Sequence, residues 1–173
     1  DADNVYAAKP IENLHTAGRQ IETILRDRSL DVVVSGGGPS GVEIAANAAV
    51  LGHGLPYNPS VTLVTRRKIL GRFPVRVRRR ALRMLSQRNV RVVEDAEVTG
   101  IAPEALSLIN GSTVRFDMIL LTTGTKPPPI FADSGLRSGI TGGLLVNEFL
   151  QSVDYPYIFG GGDCIDFAPQ ALQ

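Results

Sequence analysis

Six residues, Gly36-Gly37-Gly38-Pro39-Ser40-Gly41, stand between two segments of opposite character. Before them runs Asp31-Val32-Val33-Val34-Ser35, a short β-branched stretch suited to a buried strand. After them runs Val42-Glu43-Ile44-Ala45-Ala46-Asn47-Ala48-Ala49-Val50, an alanine-rich helix former. Strand, glycine turn and helix follow in that order, with G-x-G-x-x-G at Gly36, Gly38 and Gly41. On its own this spacing is weak; between a strand and a helix it predicts a site for a dinucleotide pyrophosphate. Gly36 allows the tight turn, Gly38 lets the backbone approach the phosphates, and Gly41 lets the helix lie close to the strand. The free N–H groups at the helix start, including those of Ser40 and Gly41 behind Pro39, would then face the anion along the helix dipole.

The periodicity on either side completes an α/β reading. Residues 11–28 carry Ile11, Leu14, Ile21, Ile24 and Leu25 on one helical face. Val61–Thr65 is a second strand, 75–88 a very basic helix and Val90–Val93 a third strand. The β-α-β-α-β order predicts a Rossmann-like parallel sheet. The pattern then changes. Glu97–Ile101, Ala105–Ile109 and Thr113–Phe116 read as strands with no helix between them, and Asn110-Gly111 is the pair favoured by a two-residue hairpin turn. A three-stranded antiparallel meander is therefore expected in place of a crossover helix. Met118–Thr122 is an apolar core strand, residues 130–156 are loop-rich, and Tyr157-Ile158-Phe159 is read as a last strand.

Composition removes several function classes. The net charge is +1, so the whole chain carries no polyelectrolyte signal. No apolar run approaches the ~18 residues of a membrane span, and the start does not read as a signal peptide. One cysteine, Cys164, excludes an internal disulfide or C-x-x-C pair and favours a reducing, cytoplasmic setting. His15 and His53 lie far apart without a carboxylate cluster, so no metal site is expected. No G-x-S-x-G is present, which removes the hydrolase reading. The chain starts at Asp1 and stops at Gln173 in what reads as an unfinished loop, the expectation being a piece of a longer protein.

Three segments in order resemble the pyridine nucleotide-disulfide oxidoreductase family of two-dinucleotide-domain flavoproteins. Val34 to Ala45 is similar to its NAD(P)H loop with the G-x-E-x-A continuation. Leu121-Thr122-Thr123-Gly124-Thr125-Lys126-Pro127 is similar to the T-G-x-x-P stretch that closes the nucleotide domain. Tyr157-Ile158-Phe159-Gly160-Gly161-Gly162-Asp163 resembles the aromatic-x-x-G-D motif of the FAD domain. The look is nearest to type II NADH dehydrogenases and related quinone or ferredoxin reductases. The resemblance implies a linker and helix at 1–29, an NAD(P)H-binding domain at 30–125, and a linker with the first part of an FAD-domain return segment at 126–173.

It also implies roles. Gly36, Gly38, Pro39, Ser40, Gly41 and Gly124 would hold the dinucleotide. Glu43, on the first helical turn, would lie near the nicotinamide–flavin contact, or else would only stabilise the helix start. Asp163 would accept a hydrogen bond from the FAD ribityl chain. In the intact protein a hydride would pass from NAD(P)H to FAD, and electrons would go on to an acceptor such as a quinone or ferredoxin. With only one glycine loop, the chain alone is expected to hold no flavin tightly and not to turn over. The FAD domain of the same protein is the implied neighbour, and a homodimer is an assembly the resemblance allows.

The choice of cofactor falls at the end of the second strand. NAD-specific folds usually carry an acid there, on the ribose 2′-OH. Here the position is near Thr65, and no Asp or Glu occurs between Glu43 and Glu94. Arg66, Arg67 and Lys68 follow, with Arg72 close behind. Arginine forks suit a 2′-phosphate, so the residues lean towards NADP(H) over NAD(H), or towards use of both. From Arg66 to Arg91 eleven Lys or Arg occur without an acid. That exceeds what one phosphate needs. It leaves open a solvated face, contact with an anionic partner such as an acidic protein or the headgroups of a membrane surface, where the chain would be peripheral, or a non-catalytic interaction module built on the basic helix. Only Phe73 interleaves as an aromatic, and nucleic acid is not expected.

Overall fold

A computed structural model describes residues 4–122, 124 and 127–167. They fall into two compact units divided between residues 123 and 124.

The first unit is organised around a five-stranded, wholly parallel sheet. Its elements are β1 (Val5–Ala7), α1 (Ile11–Ile24), β2 (Leu30–Ser35), α2 (Pro39–Ala48), β3 (Pro59–Val64), α3 (Val75–Gln87) and β4 (Arg91–Val93). Then come β5 (Val98–Ala102), β6 (Ala105–Leu108), β7 (Thr113–Arg115) and β8 (Met118–Leu121). The strand order is β1-β8-β2-β3-β4, so β2, which feeds the glycine loop, is central.

Alternation along the central strands assigns the two faces of the sheet. Val32, Val34, Leu63, Met118 and Leu120 point to a core shared with Ala17, Ile21 and Leu25 of the first helical segment, Ala45 and Ala46 of α2, and Leu85 of α3. Val33, Val64 and Ile119 point the other way, to Leu106, Leu108 and Phe116 of the meander β5-β6-β7. Both faces are covered, which is why these strands read as unbroken apolar runs. Ile21, Leu25, Leu30 and Leu63 are fully buried, each stabilising the fold by about 1.5–3 kcal/mol.

Several elements differ from the sequence expectation. Val5–Ala7, read as linker, is an edge strand paired with β8. Pro59, read as loop, opens β3 opposite Leu30; a proline at the first residue of a strand is tolerated. Asn110-Gly111 sits inside the four-residue connection 109–112, where Gly111 takes φ +81 and Leu108 N–H donates to the Ser112 carbonyl at 2.9 Å. The two-residue connection is Pro103-Glu104, between β5 and β6.

The second unit holds α4 (Ile130–Asp133), β9 (Leu144–Val146), a 3-10 turn at Gly162–Cys164 and β10 (Ile165–Phe167). β9 and β10 pair in parallel. Tyr157-Ile158-Phe159 is not a strand: Phe159 makes one isolated bridge to Gln151, and Tyr157 is 92% exposed. The pairing falls to Ile165–Phe167, whose Asp166 carboxylate receives the Thr141 N–H at 3.0 Å and the Gly143 N–H at 3.2 Å. Among the described residues no helix is long and apolar enough to cross a membrane.

Candidate functional site

The glycine loop lies at the C-terminal end of β2, where open parallel sheets bind their ligands. Gly36 takes φ +130, and its N–H donates to the Val64 carbonyl at 2.9 Å. A Cβ there would collide with the Thr122 hydroxyl. A Cβ on Gly41 would overlap the Gly36 carbonyl oxygen and come within 2.9 Å of Thr122 Oγ1. A Cβ on Gly37 would fall 2.8 Å from Cβ of Thr65. Gly38 differs: nothing lies within 4 Å of where its Cβ would be. Three glycines are thus dictated by the protein's own packing. At Gly38 the missing side chain faces open space, where a ligand could reach the backbone.

Gly38 is also the N-cap of α2, extended at φ −75, with Pro39 following at the first helical position. Val42 N–H makes the first intrahelical bond, to the Gly38 carbonyl at 3.1 Å. No side chain caps this helix. The Ser40 and Gly41 amides precede the first bond, so they are the donors such a helix start offers an anion. Ser40 is exposed. This donor set fits a pyrophosphate.

The loop is held from beneath. Thr122 Oγ1 donates to the Ser35 carbonyl at 2.9 Å and reaches the Gly36 carbonyl at 3.3 Å. Thr65 is buried under Gly37, so it supports the loop instead of standing open beside it. Leu70 N–H donates to the Gly37 carbonyl at 2.8 Å, which joins the segment after β3 to the glycine loop.

That segment carries the cations expected at the ribose. Arg66, Arg67 and Arg72 are exposed. Arg66 lies 3.7 Å from the Glu97 carboxylate, whereas Arg67 and Arg72 make no ion pair among the described residues. Acids of the next segment enter here: Arg78 pairs with Glu94 at 2.6 Å, and Lys68 with Glu94 at 3.5 Å. The hydrogen bond that the exposed Lys68 ammonium donates to the Asp95 carboxylate holds it above the ordinary lysine range, against a smaller opposing effect of desolvation. No local sequence pattern marks Thr122, Leu70 or Glu94 as supports of the loop and its neighbouring segment. The signal for Glu94 was its position as the first acid after eleven cations.

Glu43 is exposed, and α2 begins at Pro39, so Glu43 opens the second turn and not the first. It therefore makes no first-turn contribution to the helix start. In the second unit, Gly124 takes φ +62 and Asp163 lies exposed on the 3-10 turn. Of the stretch 121–127, residues 123, 125 and 126 lie outside the described residues. No group of His, Cys, Asp or Glu suited to a metal ion occurs among the described residues.

The chain has recognisable relatives among known proteins. The sequence profile of the pyridine nucleotide-disulphide oxidoreductases matches residues 6–173. An internal alternative NAD(P)H-ubiquinone oxidoreductase A1, mitochondrial, of Solanum tuberosum is 30% identical over 149 residues, covering 81% of this chain and 30% of the relative. Demethylphylloquinone reductase NdbB of Synechocystis is 31% identical over 136 residues, covering 76% and 33%. The chain thus spans about a third of the length of these relatives. Among solved structures, the covalent putidaredoxin reductase–putidaredoxin complex superposes with a TM-score of 0.75 at 25% identity, covering 96% of this chain and 39% of that one. The Bacillus anthracis CoADR-RHD structure gives 0.74 at 24% identity, covering 95% and 28%, a likeness of fold.

Proposed function

We propose that this chain, which belongs to the pyridine nucleotide-disulphide oxidoreductase family, contains the NAD(P)H-binding domain of an FAD-dependent oxidoreductase. The observation that carries the reading is the uncapped start of α2 beside Gly38, whose missing side chain faces open space. Gly36, Pro39, Ser40 and Gly41 complete the pyrophosphate cradle; Gly124 is assigned to dinucleotide binding by the likeness of its T-G-x-x-P stretch alone. In the intact enzyme the bound nucleotide would supply a hydride and the flavin would take up its electrons and hand them on, with this chain's residues holding the nucleotide.

The chain's own residues bind and orient. The α2 amides neutralise the pyrophosphate in part, and Thr122 and Leu70 fix the carbonyls of Gly36 and Gly37. The exposed Arg67 and Arg72 favour a 2′-phosphate, so NADPH is accepted at least as well as NADH. Glu43, exposed on the helix beyond the pyrophosphate, is the carboxylate assigned to the nicotinamide end. Asp163 is the residue assigned to the flavin of the intact protein; residues 126–173 belong to that FAD-binding part. The names of the two curated relatives, both quinone reductases, support a quinone as acceptor.

Calorimetric titration of the chain with NADPH and NADH tests the binding reading: one site per chain is expected. Absence of binding by either nucleotide would refute it. In the intact protein, copurification without flavin and failure to oxidise NAD(P)H would refute the enzymatic reading.

A further inference from the structure

Three carboxylates that follow β4, Glu94, Asp95 and Glu97, meet cations of the segment after β3 and of α3. Glu94, with a side chain only 16% exposed, makes the central contacts. Its Oε1 accepts the Ile69 N–H at 2.8 Å, and its Oε2 accepts the Arg78 guanidinium at 2.6 Å. Lys68 is drawn to Glu94 and Asp95, and Arg66 to Glu97. Arg67 and Arg72 are left exposed on the same segment without an ion pair among the described residues. Between them sit Ile69, fully buried, and Leu70, 8% exposed, whose N–H is bonded to Gly37.

We propose that Glu94 is a positioning residue for dinucleotide choice. It fastens the middle of the 65–72 segment, so that Arg67 and Arg72, one on each side of the anchored Ile69-Leu70 pair, are presented to a 2′-phosphate. Arg78 is held by Glu94 at 2.6 Å, while the exposed Lys68 and Arg66 have carboxylate neighbours that compete with a phosphate for them. This rests on the reading of the glycine loop as the pyrophosphate site and deepens it.

Electrostatics alone would give the opposite sign. Removing the Glu94 charge leaves the surroundings more positive, which would tighten binding of the more highly charged NADPH. Positioning predicts a loss. Glu94→Ala removes the acceptor of the Ile69 N–H as well as the charge. It should raise the NADPH Kd about tenfold, equivalent to about 1.4 kcal/mol, and the NADH Kd less than threefold. Glu94→Gln keeps an acceptor for Ile69, and it should recover most of that loss.

The experiment is calorimetric titration of the chain and its variants with both nucleotides. Circular dichroism checks each fold; if Glu94→Ala does not fold, Glu94→Asp, which keeps the charge but is too short to reach the Ile69 N–H, takes its place and should show the same NADPH-selective loss. Arg67→Ala provides the reference: an NADPH-selective loss of about tenfold upholds the phosphate reading. If Arg67→Ala is selective while both Glu94 variants bind NADPH as well as or tighter than the parent, the positioning role is overturned and the site reading stands. Equal losses for both nucleotides in the Glu94 variants overturn it too. If Arg67→Ala affects the two nucleotides equally, the 2′-phosphate assignment itself falls.

Discussion

The Cβ that Gly41 lacks would lie on the carbonyl oxygen of Gly36, while the Cβ that Gly38 lacks would meet nothing within 4 Å. Packing dictates glycine at 41 and leaves 38 free, so substitution should separate the two positions. Gly41→Ala forces backbone apart and should destabilise the fold by about 1–3 kcal/mol. Gly38→Ser places a favoured N-cap residue at an extended position, so stability should hold or rise. It should still weaken NAD(P)H binding about tenfold, by filling the approach to the backbone. Urea midpoints and nucleotide titrations on both variants check the separation.

Thr122→Val tests the support beneath the loop. The side chain is nearly isosteric, but the donor to the Ser35 and Gly36 carbonyls is lost. A cost of about 1 kcal/mol in stability is expected, together with weaker binding of NADPH and NADH alike. A loss confined to one nucleotide would contradict a role under the pyrophosphate.

Acid sensitivity has an identifiable contributor in Asp117. Partial burial would raise its pKa, but the Arg28 guanidinium at 3.1 Å and the Asp31 N–H at 2.8 Å outweigh this and hold it below the ordinary 3.8. A depressed carboxylate stabilises the fold fully above its unfolded value and loses that contribution as pH falls through the folded one. Asp117→Asn should therefore be less stable than the parent at neutral pH, with the gap closing below pH 3.8. Denaturation midpoints across that range test the sign.

Much of the parallel sheet was legible because burial on both faces leaves apolar runs that can be little else, as in Val32-Val33-Val34. The glycine loop was legible because its packing constraints are written as missing side chains. Other features depend on partners distant in sequence. Val5–Ala7 is a strand because β8 offers it an edge. Tyr157–Phe159 has strand-like residues, yet Ile165–Phe167 takes the pairing with β9. The sorting of arginines was hidden for the same reason. The register that sets Val64 beside Val93 brings Glu94 to the segment after β3, and no local pattern reveals that.

The flavin expectation can be checked by absorbance. The chain carries a single G-x-G-x-x-G, which the proposed function assigns to NAD(P)H, and Asp163 as its assigned flavin contact. Purified alone, it should contain no stoichiometric flavin. A yellow chain with one flavin per molecule would show that the glycine loop serves FAD.

The central claim is that Gly36–Gly41 holds the dinucleotide pyrophosphate. An NMR titration of the nitrogen-15-labelled chain with NADPH tests it most directly. Saturable shifts are expected, largest at the Gly38, Ser40 and Gly41 amides, with a second set at Arg67 and Arg72 that NADH does not reproduce. Unchanged glycine-loop amides at saturating nucleotide, or shifts confined to another part of the molecule, would contradict it.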